Sequence, residues 1–143
     1  MHEGELRQFK ENMKARLVYI VVLATVCFAQ MASAEALMVV DVPFNFTAGS
    51  AQMPAGRYQV SRVTENTIAL QLERGAKSLF VLTHATDRNT PDSRAELVFD
   101  RFGSRYFLAE VWSRNSRAGH ALRLPKIDSQ HDHEKFALNA ATK

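Results

Sequence analysis

The segment spanning residues 17–34 constrains this chain most, because it separates a targeting region from the part that has to fold. Lys14 and Arg16 precede an apolar run, and Ala32-Ser33-Ala34 has the small-x-small spacing of a signal-peptidase site. A basic flank, a short apolar region and a small-residue exit are typical of a secretory signal peptide. The run is shorter than the roughly 20 apolar residues of a spanning helix. We therefore predict a signal peptide over residues 1–34 and a mature chain that begins at Glu35 and is exported.

The signal peptide has two candidate start positions, the first residue and Met13. Glu3, Glu5 and Glu11 make the far N-terminus acidic, which is unusual for an export signal. Translation from Met13 would give an ordinary basic n-region, whereas translation from the first residue would give a long one.

Composition limits the mature chain to one domain without covalent staples. It carries 14 Lys and Arg against 12 Asp and Glu, hence a net charge of +2, with the signs interspersed. Nucleic-acid binding normally needs a concentrated basic stripe, so we exclude that class of partner. The single cysteine, Cys27, lies in the predicted signal peptide, so the mature chain has no disulfide and no cysteine metal site. We predict no cofactor and no membrane span in the mature chain.

Apolar runs and turn signals alternate at intervals close to the roughly 8–12 residues of all-β domains. We predict an all-β domain over residues 35–126, a single antiparallel meander of about seven strands. A small sandwich and a partly closed barrel both fit this pattern. Pro43 should mark an edge or a bulge in the first strand. The run Leu79-Phe80-Val81-Leu82 is apolar on both faces, which indicates a central strand covered on both sides.

Gly103-Ser104 gives the best local signal, since a two-residue loop that opens with Gly is typical of a type II′ hairpin. This loop predicts that Phe99 pairs with Leu108 and Leu97 with Glu110. The more apolar face of the hairpin is then the core face, and it carries Leu97, Phe99, Arg101, Tyr106, Leu108, Glu110 and Trp112. Residues 127–143 follow as a polar, flexible tail, either frayed or a weak helix around Glu134–Ala141.

Three segments resemble a group of small exported bacterial β-proteins with no characterised activity. They are Pro43-Phe44-Asn45-Phe46, then Pro54-Ala55-Gly56-Arg57-Tyr58-Gln59-Val60, and finally the hairpin from Phe102 to Trp112. The resemblance implies export and an all-β domain, and it assigns no catalytic or binding residue.

Glu110 is the strongest single candidate for a functional residue. A carboxylate on an apolar strand face is expected either to form an ion pair or to belong to a binding site. The structural interpretation is an ion pair with Arg62 or Arg101. The functional one is a polar anchor in a ligand cavity, with Tyr106, Trp112, Phe99 and Arg101 as further lining residues.

Histidines give two weaker hypotheses. His131 and His133, with the carboxylates beside them, have the density of a metal site, but a solvated tail explains them as well. A hydrolase would need His84 with Asp87, or His120 with Ser116, and no sequence context marks a reactive serine.

We therefore expect a non-catalytic exported domain, with no catalytic residue, that binds an unknown protein or envelope component in the periplasm or outside the cell. The alternative is a small β-barrel carrier of an apolar small molecule with Glu110 as its polar anchor. A hydrolase or metal-dependent enzyme is a third hypothesis.

Overall fold

A computed structural model describes residues 3–27, 33–126 and 133–141. Within these residues the chain forms one helix and ten strands, and it divides into two units, residues 1–33 and 34–143. The elements are α1 (Glu3–Cys27), β1 (Glu35–Val42), β2 (Phe46–Ala48), β3 (Ala51–Met53), β4 (Gly56–Thr64), β5 (Thr67–Leu72), β6 (Ser78–Asp87), β7 (Glu96–Phe102), β8 (Arg105–Trp112), β9 (Ala118–Leu122) and β10 (His133–Asn139).

Helix α1 spans most of the predicted signal peptide. Glu3 and Glu5 lie in its first turn, where a carboxylate interacts favourably with the positive end of the helix dipole. Tyr19 and Ile20, in the apolar stretch, are exposed. Of the helical residues described, no stretch has both the length and the apolar character required to cross a membrane.

The prediction of an all-β domain is confirmed, since the second unit consists of strands in a single sheet that does not close. The strands run in the order β1-β4-β5-β6-β9-β8-β2-β3, with β7 paired to β8 and β10 paired to β7. The sequential antiparallel pairing of a meander holds for β4-β5-β6 and for β7-β8-β9. It fails where β1 pairs with β4, where β6 pairs with β9, and at one parallel contact between β2 and β8.

The described residues form ten strands rather than about seven, for local reasons. Pro43 lacks an N–H group for the sheet, and the chain leaves β1 there before it resumes as β2. The short β3 pairs with β2 as a small hairpin. Asn45 holds this irregular stretch, because its side-chain oxygen accepts a hydrogen bond of 2.9 Å from the backbone N–H of Ala55.

The expectation of a frayed end or a weak helix at Glu134–Ala141 is wrong. Residues 133–139 form β10, which pairs with β7 along its whole length, from His133 opposite Phe102 to Asn139 opposite Glu96. Its inward side chain Phe136 packs against the hydrophobic core. The sheet therefore continues beyond Lys126, where the sequence predicted that the domain would end.

The β7–β8 hairpin confirms the predicted register close to its turn and departs from it farther along. Gly103 has φ of +59°, as the first loop residue of a type II′ turn requires, and Phe99 pairs with Leu108. A bulge then places Leu97 opposite Val111 instead of Glu110. One extra residue reverses the faces of a strand, so Glu110 and Trp112 do not share the face of Phe99 and Leu108 as predicted, although Trp112 is buried.

The core lies between the inward faces of the curved sheet. Its centre holds Tyr58, whose hydroxyl donates a hydrogen bond of 2.5 Å to the carbonyl of Pro54. Burial raises the pKa of this phenol. The largest fully buried side chains are Tyr58, Phe99, Phe107, Met53, Ile68, Leu70, Leu97, Leu108, Val40, Val42, Val60 and Val111.

Candidate interaction surface

Strand β6 exposes two large apolar side chains. Val81 and Thr83 point to the core and are buried, whereas Phe80 is 68% exposed and Leu82 is 78% exposed. Successive side chains of a strand point to opposite faces, so Phe80 and Leu82 share the outer face of the sheet. The prediction that this run is covered on both sides is therefore wrong.

On β5 and β4, the neighbours of these two side chains on the outer face carry no charge. Ala69 lies directly opposite Phe80 on β5, and Thr67 lies opposite Leu82. Ser61 lies opposite Ala69 on β4. We call Phe80, Leu82 and Ala69 the β6 patch.

The first half of β6 also presents an open backbone edge. The N–H of Thr83 donates to the carbonyl of Asn66, and the carbonyl of Lys77 accepts from Leu72, so odd-numbered residues of β6 bond to β5. Because bonded and non-bonded pairs alternate in an antiparallel ladder, the N–H and C=O of Ser78 and Phe80 point the other way.

On that other side, β9 pairs with the second half of β6 only. The ladder runs from Asp87 opposite Ala118 to Thr83 opposite Leu122 and ends there. No strand of the described residues pairs with Ser78 or Phe80 on this side.

A groove of about 280 Å³ lies beside the open edge. One wall is β6 from Leu79 to Leu82, and the other is the β2–β3 turn, where Gly49 approaches the side chain of Val81. Exposed Arg123, which follows β9 directly, completes the lining. The groove is thus apolar along its length, with a cationic group at one end.

The predicted site residues Glu110 and Trp112 lie together on the outer face of β8. The Trp112 indole Nε1 donates a hydrogen bond of 2.9 Å to Oε2 of Glu110, and Lys135 Nζ donates one of 3.2 Å to Oε1. Glu110 therefore has an ion-pair partner, although this is Lys135 and not Arg62 or Arg101. Arg62 pairs with Glu35, and Arg101 with Glu134.

Trp112 is held on its remaining sides as well. The Arg88 guanidinium lies 4.7 Å from the centre of the indole ring and donates a hydrogen bond of 2.9 Å to Glu96. Gly119 lies directly opposite Trp112 on β9, and a Cβ atom there would come within 2.5 Å of the ring. Trp112 is only 5% exposed, so these contacts pack the indole against the sheet and leave little of it open to a ligand.

The other three predicted lining residues lie on the opposite side of β7 and β8. Tyr106 stacks on Phe44 with ring centres 3.9 Å apart, and Phe44 meets Phe99 edge-on at 5.2 Å. Arg101 on the same face is exposed, and its Nε donates to the carbonyl of Gly103. The five residues predicted as one site are therefore divided between the two faces of the hairpin.

The histidines fall at separate places. His131 lies outside the described residues, and the ring of His133 stacks on Phe102 at 5.5 Å. Across residues 3–27, 33–126 and 133–141, no three potential ligands are grouped to hold a metal ion.

His120 faces a threonine instead of the predicted serine. Its Nδ1 lies 3.3 Å from the Thr83 hydroxyl, whereas the Ser116 hydroxyl donates to the carbonyl of Ala118. Burial and, to a smaller extent, the Arg62 charge lower the pKa of His120. A neutral imidazole in this half-buried position acts as a hydrogen-bond partner within the sheet.

Comparisons with models of protein families, with curated proteins and with solved structures gave no match for this chain. The β6 patch and its open edge are the features of this structure that point to a function. The sequence shows residues 79–82 as an apolar run without charge, but it does not show that one face and one edge of this strand are open.

Proposed function

We propose that the mature chain is an exported, non-catalytic β-domain that acts as an interaction module in the periplasm or outside the cell. It binds a protein or envelope component through the β6 patch. The exposure of Phe80 and Leu82 carries this proposal, because full burial of such a side chain is worth about 1.5–3 kcal/mol. Adjacent apolar side chains that remain in water beside an open strand edge are typical of a binding surface.

The packing of the interior favours a surface-binding domain over an enclosed carrier. Tyr58 and Phe99 are fully buried at the centre of the sheet, where a ligand would have to lie. Glu110, the anchor in the carrier hypothesis, lies on the outer face, and both of its oxygens already accept hydrogen bonds.

Export can be tested first, because the proposal requires it. We expect cell fractionation to recover the protein outside the cytoplasm, with an N-terminus at Glu35. A cytoplasmic protein that retains its N-terminal helix would contradict export.

Photocrosslinking tests the surface itself. Benzoylphenylalanine would replace Phe80 in one variant and Arg105, an exposed residue of the β7–β8 turn, in the control. Irradiation of intact cells should give a defined adduct from position 80 and none from position 105. Adducts of equal yield at both positions, or none at position 80, would contradict a binding role for the β6 patch.

A further inference from the structure

We infer that the partner contributes an extended segment, which adds to the open edge of β6 as a further strand and places a carboxylate beside Arg123. This inference rests on the proposed function and specifies how the same surface binds. It identifies the partner by its chemistry, as a β-strand with apolar side chains and one acidic residue.

The backbone of β6 supplies the first argument. Ser78 and Phe80 direct two N–H and two C=O groups away from β5, into the space beside the sheet. An added strand satisfies such groups through main-chain hydrogen bonds, which is the basis of recognition by strand addition. The segment from Ser78 to Leu82 spans about 17 Å at about 3.4 Å per residue, enough for a short strand.

The side chains of this segment supply the second argument. Native proteins usually use charged residues, especially lysine, or proline to protect an open edge strand from pairing. Residues 78–82 contain neither a charge nor a proline, whereas Lys77, at the start of the edge, is tied to the carbonyl of Gln52 at 2.6 Å. The edge is therefore left suited to pairing.

Charge specifies the partner further. A strand added at Phe80 would continue the line of β9, so one of its ends would come close to Arg123, at the end of the groove. Arg123 forms no ion pair with any other residue that the structure describes. A partner carboxylate placed there would gain a charge-assisted hydrogen bond.

The volume and lining of the groove indicate the size and polarity of the partner side chains that would point into it. Alternate residues of an added strand would point between β6 and the β2–β3 turn, towards Leu79, Val81 and Ala48. A space of about 280 Å³ between these apolar walls fits small aliphatic side chains. Valine and threonine at alternate positions of the partner meet this requirement.

An NMR titration of the full-length chain tests the inference. The probes are an end-blocked peptide of alternating Thr and Val that ends in Glu, and the same peptide with Gln in place of Glu. We expect the amide signals of Ser78 and Phe80 to shift with the Glu peptide. We also expect the Gln peptide to bind about threefold to tenfold more weakly, and this difference to vanish in Arg123→Gln.

Two substitutions at position 80 distinguish the contribution of the backbone edge to binding from that of the apolar side chain. Phe80→Pro removes an N–H that β5 does not use, whereas Phe80→Ala removes only the side chain. We expect Phe80→Pro to weaken binding at least about tenfold and Phe80→Ala clearly less. If Phe80→Pro does not fold, Ser78→Pro removes the other amide that points away from β5.

Two results would overturn the inference. One is an absence of binding by either peptide to the folded chain. The other is an equal effect of Phe80→Pro and Phe80→Ala, which would mean that a partner packs on the face of the sheet. In that second case the inference fails, while the proposed function survives if position 80 still crosslinks in cells.

Discussion

The indole N–H of Trp112 donates to the carboxylate of Glu110, two residues earlier on the same strand. Both side chains lie on one face of β8, and Lys135 reaches the second carboxylate oxygen from β10. The arrangement links two strands that are not neighbours, because β7 lies between β8 and β10. Glu110 is thus an element of stability in this structure.

Loss of this carboxylate should lower the free energy of unfolding. Glu110→Ala leaves the buried indole N–H without an acceptor, and we expect a loss of about 1–3 kcal/mol in urea unfolding. Glu110→Gln keeps an acceptor and should lose less. Glu134→Ala is the control, since Glu134 is 73% exposed and lies 3.9 Å from Arg101, and it should change stability by less than about 0.5 kcal/mol. Equal effects of Glu110→Ala and Glu134→Ala would contradict this role.

Position 119 should tolerate only glycine, because the indole of Trp112 occupies the space that a side chain there would need. A Cβ atom at position 119 would come within 2.5 Å of the indole, so Gly119→Ala has to displace the ring. We expect thermal and urea unfolding to show a loss of about 1–3 kcal/mol, as for other overpacked sites. In a Trp112→Phe background the same substitution should cost less. Additive effects of the two substitutions would exclude the steric explanation.

His120 should make the fold sensitive to acid. Its pKa is lowered in the folded state, by burial first and by Arg62 second, while the unfolded chain has the ordinary value of about 6.5. Below that pH the unfolded chain binds a proton that the folded state takes up only at lower pH. Stability is therefore fully present above about pH 6.5 and falls as the pH drops towards the folded-state pKa.

Substitution of this histidine tests the linkage. His120→Gln keeps a hydrogen-bonding side chain near Thr83 and removes the titration, so unfolding curves between pH 5 and 7 should lose part of their slope. Thr86→Ser, on the same strand as Thr83, changes no titratable group, and as the control it should leave the slope unchanged. If both variants keep the full slope, His120 does not contribute to the acid sensitivity.

Strand β10 should be an integral part of the domain. Phe136 packs 5.5 Å from Phe44 and 6.2 Å from Phe99, ring centre to ring centre. Because Phe136 is only partly buried, Phe136→Ala should cost about 2–3 kcal/mol, below the 3–5 kcal/mol typical of a fully buried phenylalanine. Ala137→Ser, on the exposed side of the same strand, should be almost neutral. A neutral Phe136→Ala in urea unfolding would mean that β10 is dispensable.

Local signals in the sequence predicted the parts of the fold that depend on nearby residues. The turn at Gly103-Ser104 set the pairs nearest to it correctly, because a two-residue loop determines the register of its own hairpin. The bulge at Ala109 could not be predicted, because the alternation of apolar and polar residues along a strand gives no sign of an extra residue. It places Glu110 and Trp112 on the other face. The candidate site built on that face was divided for this reason.

Non-local pairing accounts for the other differences. The segment of β10 contains Glu, Lys, Ala and Leu, which favour a helix by local propensity, yet it pairs with β7, more than 30 residues earlier in the chain. Tertiary pairing overrides such a preference. The β6 patch escaped prediction because four consecutive apolar residues indicate a strand and cannot indicate whether its second face is covered.

Amide hydrogen exchange at β6 tests the open edge most directly. In the isolated protein we expect the amides of Leu79 and Val81 to exchange slowly, because they bond to β5, and the amide of Phe80 between them to exchange close to the unprotected rate. Binding of a strand should then slow Phe80 selectively. Equal protection of Leu79, Phe80 and Val81 in the isolated protein would show that the edge is already covered and would contradict the account.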